Sequence, residues 1–526
     1  MLDVVLEQAT IVDGTGAPGF RTDIALRGDR IVRIGDCADR DAGNRVDCRA
    51  LVVAPGFIDM HGHSDEALIA LPTADSKILQ GVTLEVGGNC GASPGPFSAS
   101  SMRERRDDLR RRYDIDVRFE DFGGFLDALD EAPSSMNFCC LVGLGETRKA
   151  VGAVTPGPLS KTLLEAQRAL VRTACERGAI GVSSGLIYQP GSFASLDELA
   201  DLAAAARDAG SPLYASHIRS EGDGLVEAVE EALTIGRRSG VAVQLSHHKA
   251  SGRRNWGKVH DTLTRVERAR AAGVDVVLDQ YPYKASSTGL DVILPADVNV
   301  GSRDEIAERL ADPVYFALTA ARIELEYGER WGDVLISSAG STGNRNLEGM
   351  TIEAIAAEAG KSGAEAALGL LRDEALHVAA IYFTMCEDDV RAVLQYAHTC
   401  IGSDASVRGI TALGKPHPRA FGTFPRIFKR YVRETRLLSL EEAVRRATGL
   451  AADRLGLRGR GRILEGFFAD LVLFDPATIA DNATYEEPCR NSTGIHSVYV
   501  NGEAVVRGGT ITGSRPGRLL RRGRDL

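Results

Sequence analysis

The 526 residues are too many for one compact core, which sets an expectation of a large domain with one or more satellites. A net charge of -10 at pH 7, with acids and bases mixed along the chain, argues against a nucleic-acid or anionic-membrane surface and leaves small neutral or anionic molecules as partners. Nine cysteines scattered without short regular spacing do not make a disulfide framework and fit a reducing compartment.

The first residues, Met1-Leu2-Asp3-Val4-Val5-Leu6-Glu7, carry early acids and no basic flank ahead of a long apolar core, so no signal peptide is expected. No apolar run is long enough to span a bilayer, and the expected location is the cytoplasm. Residues 4–6, 10–12, 23–26 and 31–34 read as short strands separated by Gly-rich turns. The chain returns to that style in residues 469–474, 497–500 and 504–506, with turns at Asn501-Gly502 and Gly508-Gly509. Residues 1–55 and 455–526 are therefore expected to assemble one small β-sandwich domain from both termini.

Residues 56–454 have a different rhythm, in which strand-like apolar segments are mostly followed by amphipathic helical pattern, as in a parallel βα barrel. Eight strand candidates are residues 57–60, 82–86, 138–142, 179–183, 212–216, 241–246, 274–279 and 399–402. After the fifth, Leu225, Val229 and Leu233 recur every four residues, with Glu227, Glu230 and Glu231 on other faces, which predicts a helix packed outside the barrel. The gap between the seventh and eighth strands is too long for one helix, so residues 287–341 are expected to form an inserted lobe.

The residues able to do chemistry fall at the ends of these strands. His61 and His63 follow the first, and alternate strand residues lie about 7 Å apart on one face, so two rings can converge on a cation. Alone, that His-x-His spacing is as compatible with two ordinary polar residues as with a metal site. Cys90 follows the second strand, His217 the fifth, His247 the sixth and Asp404 the eighth. The carboxyl ends of barrel strands open onto one face, so these six can share a pocket.

The chain resembles the D-aminoacylase branch of the amidohydrolase superfamily, the N-acyl-D-amino-acid deacylases. The resemblance covers nearly the whole length. It is carried by Pro55-Gly56-Phe57-Ile58-Asp59-Met60-His61-Gly62-His63, Gly88-Asn89-Cys90-Gly91, Ser216-His217-Ile218-Arg219-Ser220-Glu221, Leu245-Ser246-His247-His248-Lys249, Gly402-Ser403-Asp404, His417-Pro418-Arg419 and Gly422-Thr423-Phe424. It implies a distorted (β/α)8 TIM barrel with a β-sandwich from both ends and an inserted lobe before the last strand. It also implies a tight Zn2+ on Cys90, His217 and His247, and a second, weaker or empty position at His61, His63 and Asp404. A thiolate with two imidazoles suits zinc and leaves a coordination position for water, whose pKa zinc can bring to about 7. Asp404 is then implied as the general base that later protonates the leaving amine, in hydrolysis of an N-acyl-D-amino acid without a covalent intermediate.

By the same resemblance, Lys249, Tyr283 and Arg419 clamp the substrate carboxylate, with Arg supplying bidentate geometry. Tyr281-Pro282-Tyr283-Lys284 offers a second tyrosine two residues away, so that assignment can slip. The chain departs from many relatives after the third strand, where Leu141-Val142-Gly143-Leu144-Gly145-Glu146 lacks a Gly-His pair, and Glu146 is a candidate replacement. Two other readings stay open: a metallohydrolase acting on a cyclic amide or an isoaspartyl-type dipeptide, and a non-catalytic metal-binding assembly protein. Side-chain preference, acyl preference, chirality and oligomeric state are not legible.

The remaining candidates have blander readings. His248 is expected behind the site or at the surface, and His260, His377, His398 and His496 as structural or solvated residues. His417 sits in a substrate-side loop. Adjacent Cys139 and Cys140 face opposite sides of a strand and are expected to pack. The run 103–112 is basic but laced with acids and reads as a solvated helix face. Arg518, Arg521, Arg522 and Arg524 read as a frayed tail.

Overall fold

The computed structural model describes residues 1–526 apart from Arg118, Ala412 and Leu413 and the side chain of Glu329. Eight parallel strand positions form a distorted barrel: Phe57–Asp59, Val82–Gly87, Asn137–Cys140 continued by Val142–Gly143, Val182–Gly185, Leu213–His217, Ala242–Leu245, Val276–Gln280 and Thr399–Ile401. All eight fall on the expected segments, with ends displaced by a few residues.

The distortion has a definite place. Asn137–Cys140 pairs with the second strand and Val142–Gly143 with the fourth, so the third strand changes partner at Leu141. The Leu141 N–H donates to Gly87 O at 3.0 Å across the break. The barrel closes where Met60 N–H donates to Ile401 O at 3.2 Å and Gly62 bridges Ala405. Runs such as Val276-Val277-Leu278 are buried on both faces, the mark of a parallel sheet covered by helices.

The covering helices follow from period and caps. In Leu225–Ser239 the residues Leu225, Val229 and Leu233 are buried as the spacing predicts. Gly240, at φ 71°, ends that helix in the left-handed conformation, its N–H donating to Gly236 O at 2.9 Å.

The chain ends build one nine-stranded sheet, joined where Leu471–Phe474 pairs antiparallel with Val52–Pro55. Leu6, Ile24 and Leu26 from the first part share a buried cluster with Leu471, Leu473 and Tyr499 from the second, so the sheet bends around a common interior. The frayed tail is a correction. Leu519 and Leu520 are buried, Leu520 N–H donates to Phe138 O at 2.7 Å, and Arg521 pairs with Asp127 at 2.9 Å and Asp130 at 2.6 Å.

The inserted lobe also differs from its expected extent. Ser286–Gly289, Val334–Ser338 and Ala379–Tyr382 form an antiparallel sheet with Ala379–Tyr382 in the centre. Its separate core runs from Leu290 to Tyr382, well past Ser341. Neither edge strand would have a partner without the late central one. The intervening helices, Ile352–Ala359 and Gly363–Asp373, follow one another as barrel helices do, so the sequence pattern does not mark them as part of the lobe. Among the described residues no helix is long and apolar enough to cross a membrane.

Candidate metal centre

Three of the ligand-type residues leave their strands in the left-handed region: Cys90 at φ 55°, His247 at φ 35° and Asp404 at φ 50°. Non-glycine residues are uncommon there, and their gathering at the carboxyl ends of three strands marks a built site. The turns need room as well. A Cβ on Gly88 would overlap the Leu141 carbonyl, and one on Gly62 would overlap the Glu85 carboxyl group.

At the centre, Cys90 Sγ lies 3.3 Å from His61 Nε2, 3.5 Å from His217 Nδ1 and 3.4 Å from His247 Nε2. Ligands of a tetrahedral zinc, with Zn–S near 2.3 Å and Zn–N near 2.05 Å, sit about 3.6 Å apart, so this donor set fits the ion. Beside it, Asp404 Oδ1 is 3.1 Å from His63 Nε2 and 3.7 Å from His61 Nε2. His61 thus belongs to two donor groups, one with Cys90 and His247 and one with His63 and Asp404.

The charges are mutually dependent. Burial opposes a thiolate at Cys90, but the imidazoles of His61 and His247 and a hydrogen bond from His217 hold its pKa well below the usual thiol range. Burial likewise opposes the Asp404 carboxylate, and Arg419, His247 and His63 outweigh it, leaving that pKa well below the ordinary value. His63 is pushed up to about 9: burial disfavours its charge, while the bond to Asp404 and the nearby thiolate favour it. A thiolate and a carboxylate facing several rings create the field a divalent cation neutralises.

Two further carboxylates orient the rings. Asp279 Oδ1 accepts the His247 backbone N–H at 2.7 Å and lies 3.3 Å from His61 Nδ1. Glu221 Oε1 is 3.1 Å from His247 Nδ1 and 3.9 Å from His217 Nε2. Carboxylates in these places fix which ring nitrogen faces the centre. Asp279 closes the seventh strand segment, a position that marks it in the sequence, and Glu221 ends the Ser216-His217-Ile218-Arg219-Ser220-Glu221 motif.

Lys77 left no such signal. Its fully buried ammonium lies 2.7 Å from Asp59 Oδ2, 2.9 Å from Glu85 Oε2, 2.8 Å from Ser403 Oγ and 2.8 Å from Ala405 O. Asp59 Oδ1 accepts from the backbone of His61 at 3.2 Å and of Ser403 at 2.8 Å. This network pins the His61-Gly62-His63 turn to the Ser403-Asp404 turn, and its members are distant in sequence.

A cavity of about 350 Å³ opens over the cluster, lined by His63, Cys90, His217, His247, Asp404 and, from the lobe, Ser286, Ser287 and Thr288. Lys249 and Arg419 also line it. Lys249 Nζ lies 2.8 Å from His247 Nδ1 and pairs with Glu221. Tyr283 packs against His417 with the Arg426 guanidinium 4.7 Å from its ring centre, and neither it nor Tyr281 is among the residues lining the cavity. The ring of Tyr281 packs against both expected cations, with Arg419 at 4.6 Å and Lys249 at 5.6 Å from its centre. The strand ends just before this segment, and the chain's turn through Pro282 aims the two tyrosines differently.

Tyr188, not anticipated, lines the cavity edge-on to His217 at 5.0 Å and bonds Thr288 Oγ1 at 3.0 Å. Glu146 also reaches the cavity wall, paired with Lys149 at 2.8 Å. His248 turns away, its Nε2 2.8 Å from Thr262 Oγ1, and Cys139 and Cys140 are buried outside the cavity. His417 stands behind Arg419, accepting its backbone N–H at Nδ1 at 3.1 Å.

Comparison with known proteins agrees with this geometry. Residues 317–506 match the model described as the amidohydrolase family. The chain is 40% identical over 520 residues to a D-aminoacylase of Alcaligenes xylosoxydans xylosoxydans, covering 99% of this chain and 98% of that one. It is 39% identical over 526 residues to an N-acyl-D-glutamate deacylase of the same organism, with 99% and 97% covered. A crystal structure of D-aminoacylase superposes with TM-score 0.83 at 39% identity, covering 99% of this chain and all of that one. The N-acyl-D-glutamate deacylase of Bordetella bronchiseptica, complexed with zinc and a phosphonate mimic of the tetrahedral intermediate, superposes with TM-score 0.84 at 37% identity over 99% of each chain. Full-length identity at this level, together with the shared barrel, places the chain in the D-aminoacylase family of amidohydrolases.

Proposed function

We propose that this protein is a zinc-dependent amidohydrolase that cleaves the amide bond of N-acyl-D-amino acids, releasing a carboxylate and a D-amino acid. The observation that carries the reading is the approach of three imidazole nitrogens to Cys90 Sγ, at 3.3 to 3.5 Å, with the Asp404 carboxylate alongside. Cys90, His217 and His247 would hold the tight zinc, and His61, His63 and Asp404 a second, weaker position. When bound, zinc supplies a Lewis acid that polarises the scissile carbonyl and acidifies water.

The protein's own groups do the rest. Asp404, ionised at neutral pH, accepts the proton of the attacking water and returns it to the leaving nitrogen. Arg419 and Lys249 receive the α-carboxylate, with Tyr281 holding both cations in place. The lobe strand Ser286–Gly289 contributes Ser286, Ser287 and Thr288 to the cavity wall, where they would limit water around the reacting bond. A solved relative is described by one-metal activation and second-metal attenuation. His61, shared between both donor groups here, supports the same behaviour: filling the second position would draw on the carboxylate needed for proton transfer. The free state of all nine cysteines supports a cytoplasmic location.

The test is hydrolysis by protein of defined zinc content, offered N-acetyl-D-amino acids, their L forms, hydantoins and isoaspartyl dipeptides. Turnover of D substrates above the others is expected. Turnover confined to cyclic amides or isoaspartyl peptides would overturn the reading.

A further inference from the structure

Between the strands Leu471–Phe474 and Ile495–Val500 the chain leaves the terminal sheet and reaches the barrel. The base of this excursion is closed. Asp475 N–H donates to Gly494 O at 2.9 Å, and Ala480 and Thr493 exchange two backbone bonds of 3.0 Å. With its ends pinned, the segment forms a compact loop instead of a free arm. It packs on the helix Arg419–Arg426: Ala483 shares a buried cluster with Ala405, Ala420 and Phe421, and Ser492 Oγ donates to Phe421 O at 2.7 Å.

Two lines of contact run from this loop to Arg419. The first starts at Asp481, whose side chain is 4% exposed and lies 2.8 Å from Arg426 Nη1 and 3.4 Å from Lys429 Nζ. Arg426 closes the helix that Arg419 opens. Its Nε donates to Pro282 O at 2.7 Å, which fixes the turn between Tyr281 and Tyr283, and Arg419 packs on the Tyr281 ring. The approach is close: a Cβ on Gly422 would lie 2.8 Å from Asp481 Cβ and 2.7 Å from Tyr283 Oη. The second line starts at Tyr485, whose ring meets that of His417 edge-on at 5.2 Å, and His417 Nδ1 accepts the Arg419 N–H.

We infer that Asp481 and Tyr485, supplied by the terminal sheet domain, are positioning residues for the Arg419 guanidinium, so that two domains build the carboxylate-binding side of the site. The inference rests on the deacylase reading, in which Arg419 receives the α-carboxylate. A planar guanidinium takes a carboxylate through two bonds only when its plane is held, and the support must come from groups that are themselves locked. Asp481 acts through Arg426 and the Pro282 turn, Tyr485 through His417.

The experiment is a double-mutant cycle on zinc-loaded protein, with kcat, KM and zinc content measured for the N-acetyl-D-amino acid that wild type turns over fastest. Asp481→Asn is expected to raise KM by roughly three- to tenfold, with kcat within about twofold and one zinc retained, and Asp481→Glu to restore part of the loss. Tyr485→Leu should act in the same direction at smaller amplitude. Placed on Arg419→Ala, either change should add less than about twofold, because no guanidinium is left to hold. A purely structural contribution would raise KM equally in both backgrounds, and that result overturns the inference. An unchanged KM overturns the role of the residue replaced. Should Asp481→Asn not fold, Tyr485→Leu, which leaves every charge in place, carries the same cycle. A wild type that hydrolyses no N-acetyl-D-amino acid overturns the deacylase reading itself, and the roles of Asp481 and Tyr485 with it.

Discussion

Arg419 Nη1 lies 2.8 Å from Asp404 Oδ2, so the cation proposed to receive the substrate carboxylate also holds the acid beside the proposed metal ligands. The two roles compete. An arriving substrate carboxylate draws on the guanidinium and leaves Asp404 freer to take a proton, at the moment when a proton must be taken. Substrate binding and base strength are thereby linked through one side chain.

Replacing Arg419 by alanine is expected to raise KM by roughly ten- to a hundredfold, the loss of a charge-assisted bond. It also removes the largest charge that keeps the Asp404 pKa well below its ordinary value. The sign follows: with that pKa raised, Asp404 is protonated at higher pH, so the acid limb of the kcat profile moves upward. An acid limb in the same place in both proteins would show that Arg419 does not control the carboxyl group.

Asp404→Asn separates proton transfer from metal binding. The proposed tight position uses Cys90, His217 and His247, none of which this change replaces. Turnover is expected to fall by about 10²–10⁴-fold while one zinc per chain remains by elemental analysis. Cys90→Ser should give the reverse pattern, losing zinc first and activity as a consequence. Loss of the tight zinc from Asp404→Asn would mean that the carboxylate belongs to that position.

Most of this framework was legible in the chain. Apolar runs mostly followed by amphipathic helical pattern pointed to all eight barrel strands, and chemistry-bearing residues at their carboxyl ends pointed to a shared pocket, where the structure adds His61 to the rings around Cys90 Sγ. What stayed hidden needed three-dimensional pairing. Lys77 means nothing without Asp59 and Glu85, and the choice between Tyr281 and Tyr283 depends on how the chain leaves a strand through Pro282. The lobe's full extent is hidden for a related reason, since its central strand is the last to appear in sequence.

Lys77→Met tests the buried network. The change leaves Asp59 and Glu85 facing one another without a cation, at zero exposure. Breaking one partner of such a set is expected to cost about 3–5 kcal/mol in a denaturant titration. A loss below about 1 kcal/mol would show that the carboxyl groups neutralise one another by sharing protons instead.

His417 supplies a pH-dependent prediction away from the metal ligands. Its Nε2–H donates to Ala285 O at 2.9 Å and its Nδ1 accepts the Arg419 N–H at 3.1 Å, so both nitrogens are committed in the neutral ring. Burial first, and the charge of Arg419 second, hold its pKa well below the ordinary value. The unfolded chain, with a histidine pKa of about 6.5, then binds the proton more readily than the fold does. The stability contributed by the neutral ring is therefore complete above about pH 6.5 and declines as pH falls toward the folded value. Against His417→Phe, which cannot protonate, the stability advantage of wild type should narrow with acidification, and the same variant should raise KM by loosening Arg419. A gap that widens as pH falls would mean that the ring is charged in the fold, and that it does not steady Arg419 by accepting its N–H.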